Sequence, residues 1–126
     1  DVHWAFNRKE AKQHGEGGQF VGAPVRGRVL VVDDVLTAGT AVREATGLIT
    51  AAGASIAGVV IALDRQERDA DGRTAVAALA GSLGVPVLSI LCLQNVIDYL
   101  DGDGSGAKYP NELRQRIRAY QQAYCG

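Results

Sequence analysis

The chain has 126 residues, of which 47% are hydrophobic and 21% charged. That is enough apolar material for the core of one domain, and too much for a chain disordered by composition. Thirteen Lys and Arg against fourteen Asp and Glu leave a formal net charge of -1, which argues against nucleic-acid binding driven by bulk positive charge. No apolar run approaches the ~18 residues of a membrane span, so no membrane partner is expected.

In chain order, Val2, Trp4 and Phe6 alternate with polar or small residues, the period of a strand. Asn7 to Gly18 (NRKEAKQHGEGG) is charged, ends in glycines and reads as a mobile loop. Phe20 and Val21 form a return strand, closed by Gly22, Pro24 and Gly27. The β-branched run from Val29 to Val32 is expected to be a strand buried on both faces of a parallel sheet. It ends at Asp33 and Asp34, before a Thr/Gly turn over Thr37 to Thr40. Val42, Ala45, Leu48, Ile49 and Ala52 then recur at helical spacing, stopped by Gly53. A second buried strand covers Ile56 to Leu63, a helix Thr74 to Leu83, and a third strand Val85 to Leu93. A short helix over Asn95 to Leu100 and an amphipathic one over Pro110 to Tyr124, with Leu113, Ile117 and Tyr120 on one side, complete the chain. Alternating strands and helices predict an α/β fold: a parallel β-sheet with flanking helices and right-handed crossovers.

Ligands of such sheets bind at the carboxyl ends of the strands, and three features converge there. The turn from Thr37 to Ala41 offers amides, hydroxyls and a helix N-terminus, the parts of a phosphate cradle. Asp33 and Asp34 beside it suit sugar hydroxyls or a Mg²⁺ ion. The alternative is that Asp34 or Thr37 merely caps the helix. There is no Walker lysine and no dinucleotide fingerprint. Arg8, Lys9, Lys12 and His14, followed by Gly15, Gly17 and Gly18, could form a basic lid over an anionic leaving group; the alternative is a solvated hairpin tip, nearly balanced by Glu10 and Glu16. Arg65, in Asp64 to Arg68, could pair with a carboxylate or imide of a substrate, or belong to a surface salt-bridge cluster.

At this point three motifs, in order, carry a resemblance. Arg28 to Glu44 (RVLVVDDVLTAGTAVRE) resembles the phosphoribosyl-pyrophosphate motif of the type I phosphoribosyltransferases. Asn7 to Gly18 is similar to the flexible catalytic loop of the orotate phosphoribosyltransferases, and Leu63 to Arg68 (LDRQER) to their strand-end motif. The resemblance implies a type I phosphoribosyltransferase-like core. It implies transfer of ribose 5-phosphate from phosphoribosyl pyrophosphate (PRPP) to orotate, giving orotidine 5′-monophosphate and pyrophosphate in pyrimidine biosynthesis, with Mg²⁺ carried by PRPP rather than by direct side-chain ligation. Asp33, Asp34, Val35, Leu36, Thr37, Ala38, Gly39, Thr40 and Ala41 would then bind PRPP, the acids facing ribose hydroxyls and Thr37 to Thr40 the 5′-phosphate. Thr37 and Arg65 would touch orotate. Arg8, Lys9, Lys12 and His14 would be the catalytic, pyrophosphate-binding residues. In the family this loop reaches a neighbouring subunit, so the resemblance implies a homodimer with shared sites.

The chain lacks methionine and opens on Asp1. In the family a preceding segment supplies a pyrophosphate-binding loop and more orotate contacts. Residues 1–126 are therefore expected to be one domain's C-terminal part, inactive alone. The two cysteines, Cys92 and Cys125, make no disulfide framework and suit a reducing cytoplasm. Other readings are a regulator of this fold that senses PRPP without chemistry, and a transferase acting on another base. The lid cations argue against the first, Arg65 and the loop sequence against the second. Asp101 to Glu112 (DGDGSGAKYPNE) matches a calcium loop at positions 1, 3, 5, 6 and 12, but Lys108 takes an apolar position and Pro110 the exiting turn. Calcium binding is not expected there.

Overall fold

Three β-branched stretches pair side by side: β3 (Arg28–Val35), β4 (Ser55–Asp64) and β5 (Val87–Cys92), parallel and in that spatial order. The computed structural model describes residues 1–8, 19–102 and 109–126. Register puts Val31 opposite Val59 and Val59 opposite Val87, one apolar row across all strands. A register shift opposite Val29 and Leu30, where β4 carries the extra residue Ala57, sets that register.

Helices α1 (Thr40–Ala51) and α2 (Ala75–Leu83) are the crossovers. A sheet that grows one strand at a time in one direction, by right-handed crossovers, receives both helices on the same face. The core lies there: Val31, Val59, Ile61 and Val87 meet Val42, Ile49 and Leu79. Thr74 starts α2 by accepting the Ala77 amide at 3.2 Å, and left-handed Gly84 ends it.

The same topology corrects the expectation that β3 is buried on both faces. Its alternate residues point away from the helices, and Val32 is 72% exposed. Leu30, Leu88 and Ile90 share that face and are exposed too. No described element covers it.

β3 also runs further than its β-branched run, through Asp33 and Asp34, because the ladder continues with Asp33 opposite Ile61 and Val35 opposite Leu63. The first hairpin is β1 (Ala5–Asn7) against β2 (Phe20–Gly22), antiparallel. Val2 and Trp4 precede the strand they were expected to join, though the Trp4 ring stacks on Phe6 at 6.2 Å. Gly22 has φ 120, and a Cβ there would lie 2.5 Å from the Trp4 carbonyl oxygen, so only glycine fits.

At the other end, β5 begins later than expected, at Val87, and passes directly into α3 (Leu93–Asp101). Asn95 Oδ1 accepts from the Cys92 amide at 2.9 Å and from its thiol at 3.0 Å, which starts the helix two residues before the apolar spacing does. Cys92 is thus a half-buried helix cap. Helix α4 (Asn111–Tyr124) packs on α3, with Ile117 and Tyr120 half-buried and Leu113 left exposed. Arg118 bonds to Asp101, so the first carboxylate of the calcium-loop match is already engaged; residues 103–108 lie outside the described ones. No described helix is long and apolar enough to cross a membrane.

Candidate active site

The parallel ladder brings the candidate residues to one edge. Val35 faces Leu63 and Asp64 faces Cys92, so the carboxyl ends of all three strands lie level. Leu36 is buried and anchors the chain as it leaves β3, while Thr37, Ala38, Thr40 and Ala41 stay exposed above it.

The turn is closed by Gly39, the N-cap of α1, with φ 73 and ψ 11. No side chain caps this helix. Asp33 Oδ1 accepts only the next amide, at 2.9 Å, and Asp34 Oδ1 the Val35 amide at 2.6 Å. The capping alternative for Asp34 and Thr37 is therefore excluded. The first amide bonded within the helix is that of Arg43, to the Gly39 carbonyl. The amides of Thr40, Ala41 and Val42 consequently have no intrahelical acceptor, and they sit at the positive end of the helix dipole. An anion of phosphoryl size suits that place. Arg43 reaches back and donates to the Ala38 carbonyl at 2.6 Å, which ties the turn from above.

Asp33 is half-buried and Asp34 exposed. Neither pairs with a cation among the described residues. Two adjacent carboxylates without counter-ions, beside an anion-binding turn, can accept hydroxyl donors or face a divalent cation brought by a ligand.

Arg65 follows β4 on the neighbouring strand. Its Nη2 lies 3.1 Å from Glu67 Oε2, so the salt-bridge reading holds for that nitrogen. Its Nε is buried without an acceptor among the described residues. A donor held this way is costly until something accepts from it. A cleft of about 390 Å³ joins the turn to this loop, lined by Thr37, Ala38, Arg43, Glu67, Arg68 and Arg73 among others. Arg65 itself stays outside its walls. Arg43, Arg68 and Arg73 had no assigned role from sequence. Arg43 was the legible one of the three, since it follows Gly39 by four residues, one helical turn. Arg8 is at the base of the first hairpin, its amide bonded to the Gln19 carbonyl at 2.8 Å. Lys9, Lys12 and His14 lie outside the described residues.

No family model matches the chain. It is 50% identical over 124 residues to an orotate phosphoribosyltransferase of Pseudomonas paraeruginosa, covering 98% of this chain and 56% of that protein. It is 53% identical over 133 residues to one from Chromohalobacter salexigens, covering 98% and 57%. The crystal structure of the Francisella tularensis orotate phosphoribosyltransferase superimposes with a TM-score of 0.72 at 32% identity, over 100% of this chain and 57% of that one. The chain thus spans about half the length of the relatives it matches. Over that span it is similar, in sequence and in fold, to the orotate phosphoribosyltransferases.

Proposed function

We propose that this chain carries the ribose-phosphate and base-binding half of an orotate phosphoribosyltransferase. The observation that carries the reading is the turn at Gly39, uncapped by any described side chain, set beside two carboxylates that pair with no cation among the described residues and one strand away from Arg65. The family relationship adds the substrates. The 5′-phosphate of PRPP takes the open amides of Thr40 to Val42 with the hydroxyls of Thr37 and Thr40, and Asp33 and Asp34 accept the ribose hydroxyls. Arg65, whose Nε lacks an acceptor, meets orotate.

In the reaction the bond between ribose C1′ and the pyrophosphate oxygen breaks, one from C1′ to a ring nitrogen of orotate forms, and the proton of that nitrogen leaves to solvent or to the departing pyrophosphate. Positive charge grows on the ribose and negative charge on the departing pyrophosphate. Arg8, Lys9, Lys12 and His14 neutralise the latter. The residues fit Mg²⁺ carried by PRPP, because Asp33 and Asp34 are adjacent and pair with no cation among the described residues; the ion would supply further charge neutralisation on the pyrophosphate. No step requires a covalent nucleophile on the protein.

A homodimer with shared sites, working in the cytoplasm, completes the reading. The assay is loss of orotate ultraviolet absorbance in the presence of PRPP and Mg²⁺, with the full-length protein. Consumption of orotate, dependent on PRPP, is expected. Consumption of uracil or a purine instead, or PRPP binding without turnover, would replace it with one of the other two readings.

A further inference from the structure

Gln66 is the sole described residue other than glycine with positive φ, at 59°. Such a backbone persists only where its surroundings impose it. Here two helices impose it. The Gln66 amide donates to Asp64 Oδ1 at 2.8 Å, and Gln66 Oε1 accepts the Gln94 amide at 2.9 Å, in the first turn of α3. Gln94 is held in turn by Gln121 of α4 at 2.7 Å.

The end of α4 grips the same loop from the other side. Cys125 Sγ donates to the Arg65 carbonyl at 3.3 Å. The Arg68 amide donates to the Tyr124 carbonyl at 2.9 Å, and Arg68 Nε to the Cys125 carbonyl at 2.8 Å. The last carbonyls of a helix lack intrahelical donors, and a guanidinium there also meets the negative end of the dipole. Arg68 is thus the C-terminal cap of α4, supplied by the loop after β4. Gly126 lies over its stem: a Cβ there would be 3.2 Å from Arg68 Cδ.

From this we infer that the end of α4 is a clamp on the loop that presents Arg65, and that Arg68 and Cys125 are positioning residues for recognition of the base. The inference rests on the proposed role of Arg65. It concerns the base first, since among the described residues no hydrogen bond joins the turn at Gly39 to the clamp, although Arg68 also lines the cleft beside that turn.

The test uses the full-length protein with Arg68→Ala, Cys125→Ala and Cys125→Ser. Arg68→Ala is expected to raise KM for orotate about tenfold, the effect of one lost charged hydrogen bond passed to the site, and KM for PRPP by less, since Arg68 also lines the cleft beside Thr37. The variants of Cys125, which lies outside that cleft, should leave KM for PRPP unchanged. Cys125→Ala should raise KM for orotate about threefold, and Cys125→Ser, which keeps a donor, should restore it. Amide hydrogen exchange at Gln66 and Arg68 should quicken in Arg68→Ala and Cys125→Ala. Should Arg68→Ala fail to fold, the cysteine pair decides alone. Equal rises in both KM values, or faster exchange with an unchanged orotate KM, would overturn the inference; unchanged exchange would remove the clamp itself. If the wild-type protein consumes no orotate, it is the functional reading that has failed, and exchange still decides whether the clamp exists.

Discussion

Arg43 donates to the carbonyl of Ala38 at 2.6 Å, across the turn that leads into α1. The residue between them in the fold is Gly39, buried and left-handed. A Cβ on Gly39 would sit 3.1 Å from Arg43 Nη1 and 3.4 Å from Leu79 Cδ1. Gly39→Ala therefore strains the backbone and pushes on the tie together. It should cost about 1–2 kcal/mol of stability and weaken PRPP binding. Urea unfolding and calorimetric titration with PRPP measure the two effects. Arg43→Ala, which removes the tie but adds no Cβ at Gly39, should weaken PRPP binding with a smaller change in stability.

Asp33→Asn and Asp34→Asn test the two acids. Among the described residues each carboxylate accepts from a neighbouring amide alone, a bond an asparagine carbonyl can keep. The fold should tolerate both changes. Affinity for PRPP should fall by about tenfold in each, since a hydrogen bond to a charged group contributes more than one to a neutral group. Unchanged calorimetric affinity would remove the ribose from this end of the sheet.

The order of strands and helices was legible because β-branched runs and helical spacing each report local burial, and glycines mark the ends. The core positions Val31, Val59, Val42 and Leu79 all fall in those patterns. What local pattern could not show was the coverage of the sheet. Val32 has the composition of a doubly buried strand and yet is exposed, because strand order decides which face receives α1 and α2. The start of α3 at Leu93 escaped for a related reason, as it depends on a bond between Cys92 and Asn95 that spacing does not reveal. The turn from Thr37 to Ala41 was legible as a helix N-terminus, while the absence of a side-chain cap among the described residues needed geometry. Arg68 in its tie to α4 spans 57 residues, a pairing no local signal encodes.

Lys12→Ala addresses the lid. On the proposed reading Lys12 helps to neutralise the leaving pyrophosphate, and its loss should lower kcat by ~10²–10³, without altering unfolding by urea. Single-turnover kinetics with PRPP and orotate would show the loss in the chemical step. Turnover near that of the wild type would take Lys12 out of the reaction.

The thiol of Cys125 gives a pH signature. Burial pushes its pKa above the ordinary thiol value, the nearby Glu67 and Asp64 push it the same way, and Arg68 opposes them. A raised pKa means that the folded state favours the protonated thiol, which is also the form able to donate to the Arg65 carbonyl. This contribution to stability is complete below the unfolded thiol's pKa, about 8.5. It is lost as pH rises through the higher value of the folded state. As pH rises above about 8.5, urea midpoints of the wild-type protein should fall more steeply than those of Cys125→Ser, whose hydroxyl does not titrate there. The difference between the two curves isolates the thiol from tyrosines and lysines that titrate in both. Parallel curves would show that the thiol has no such linkage to folding.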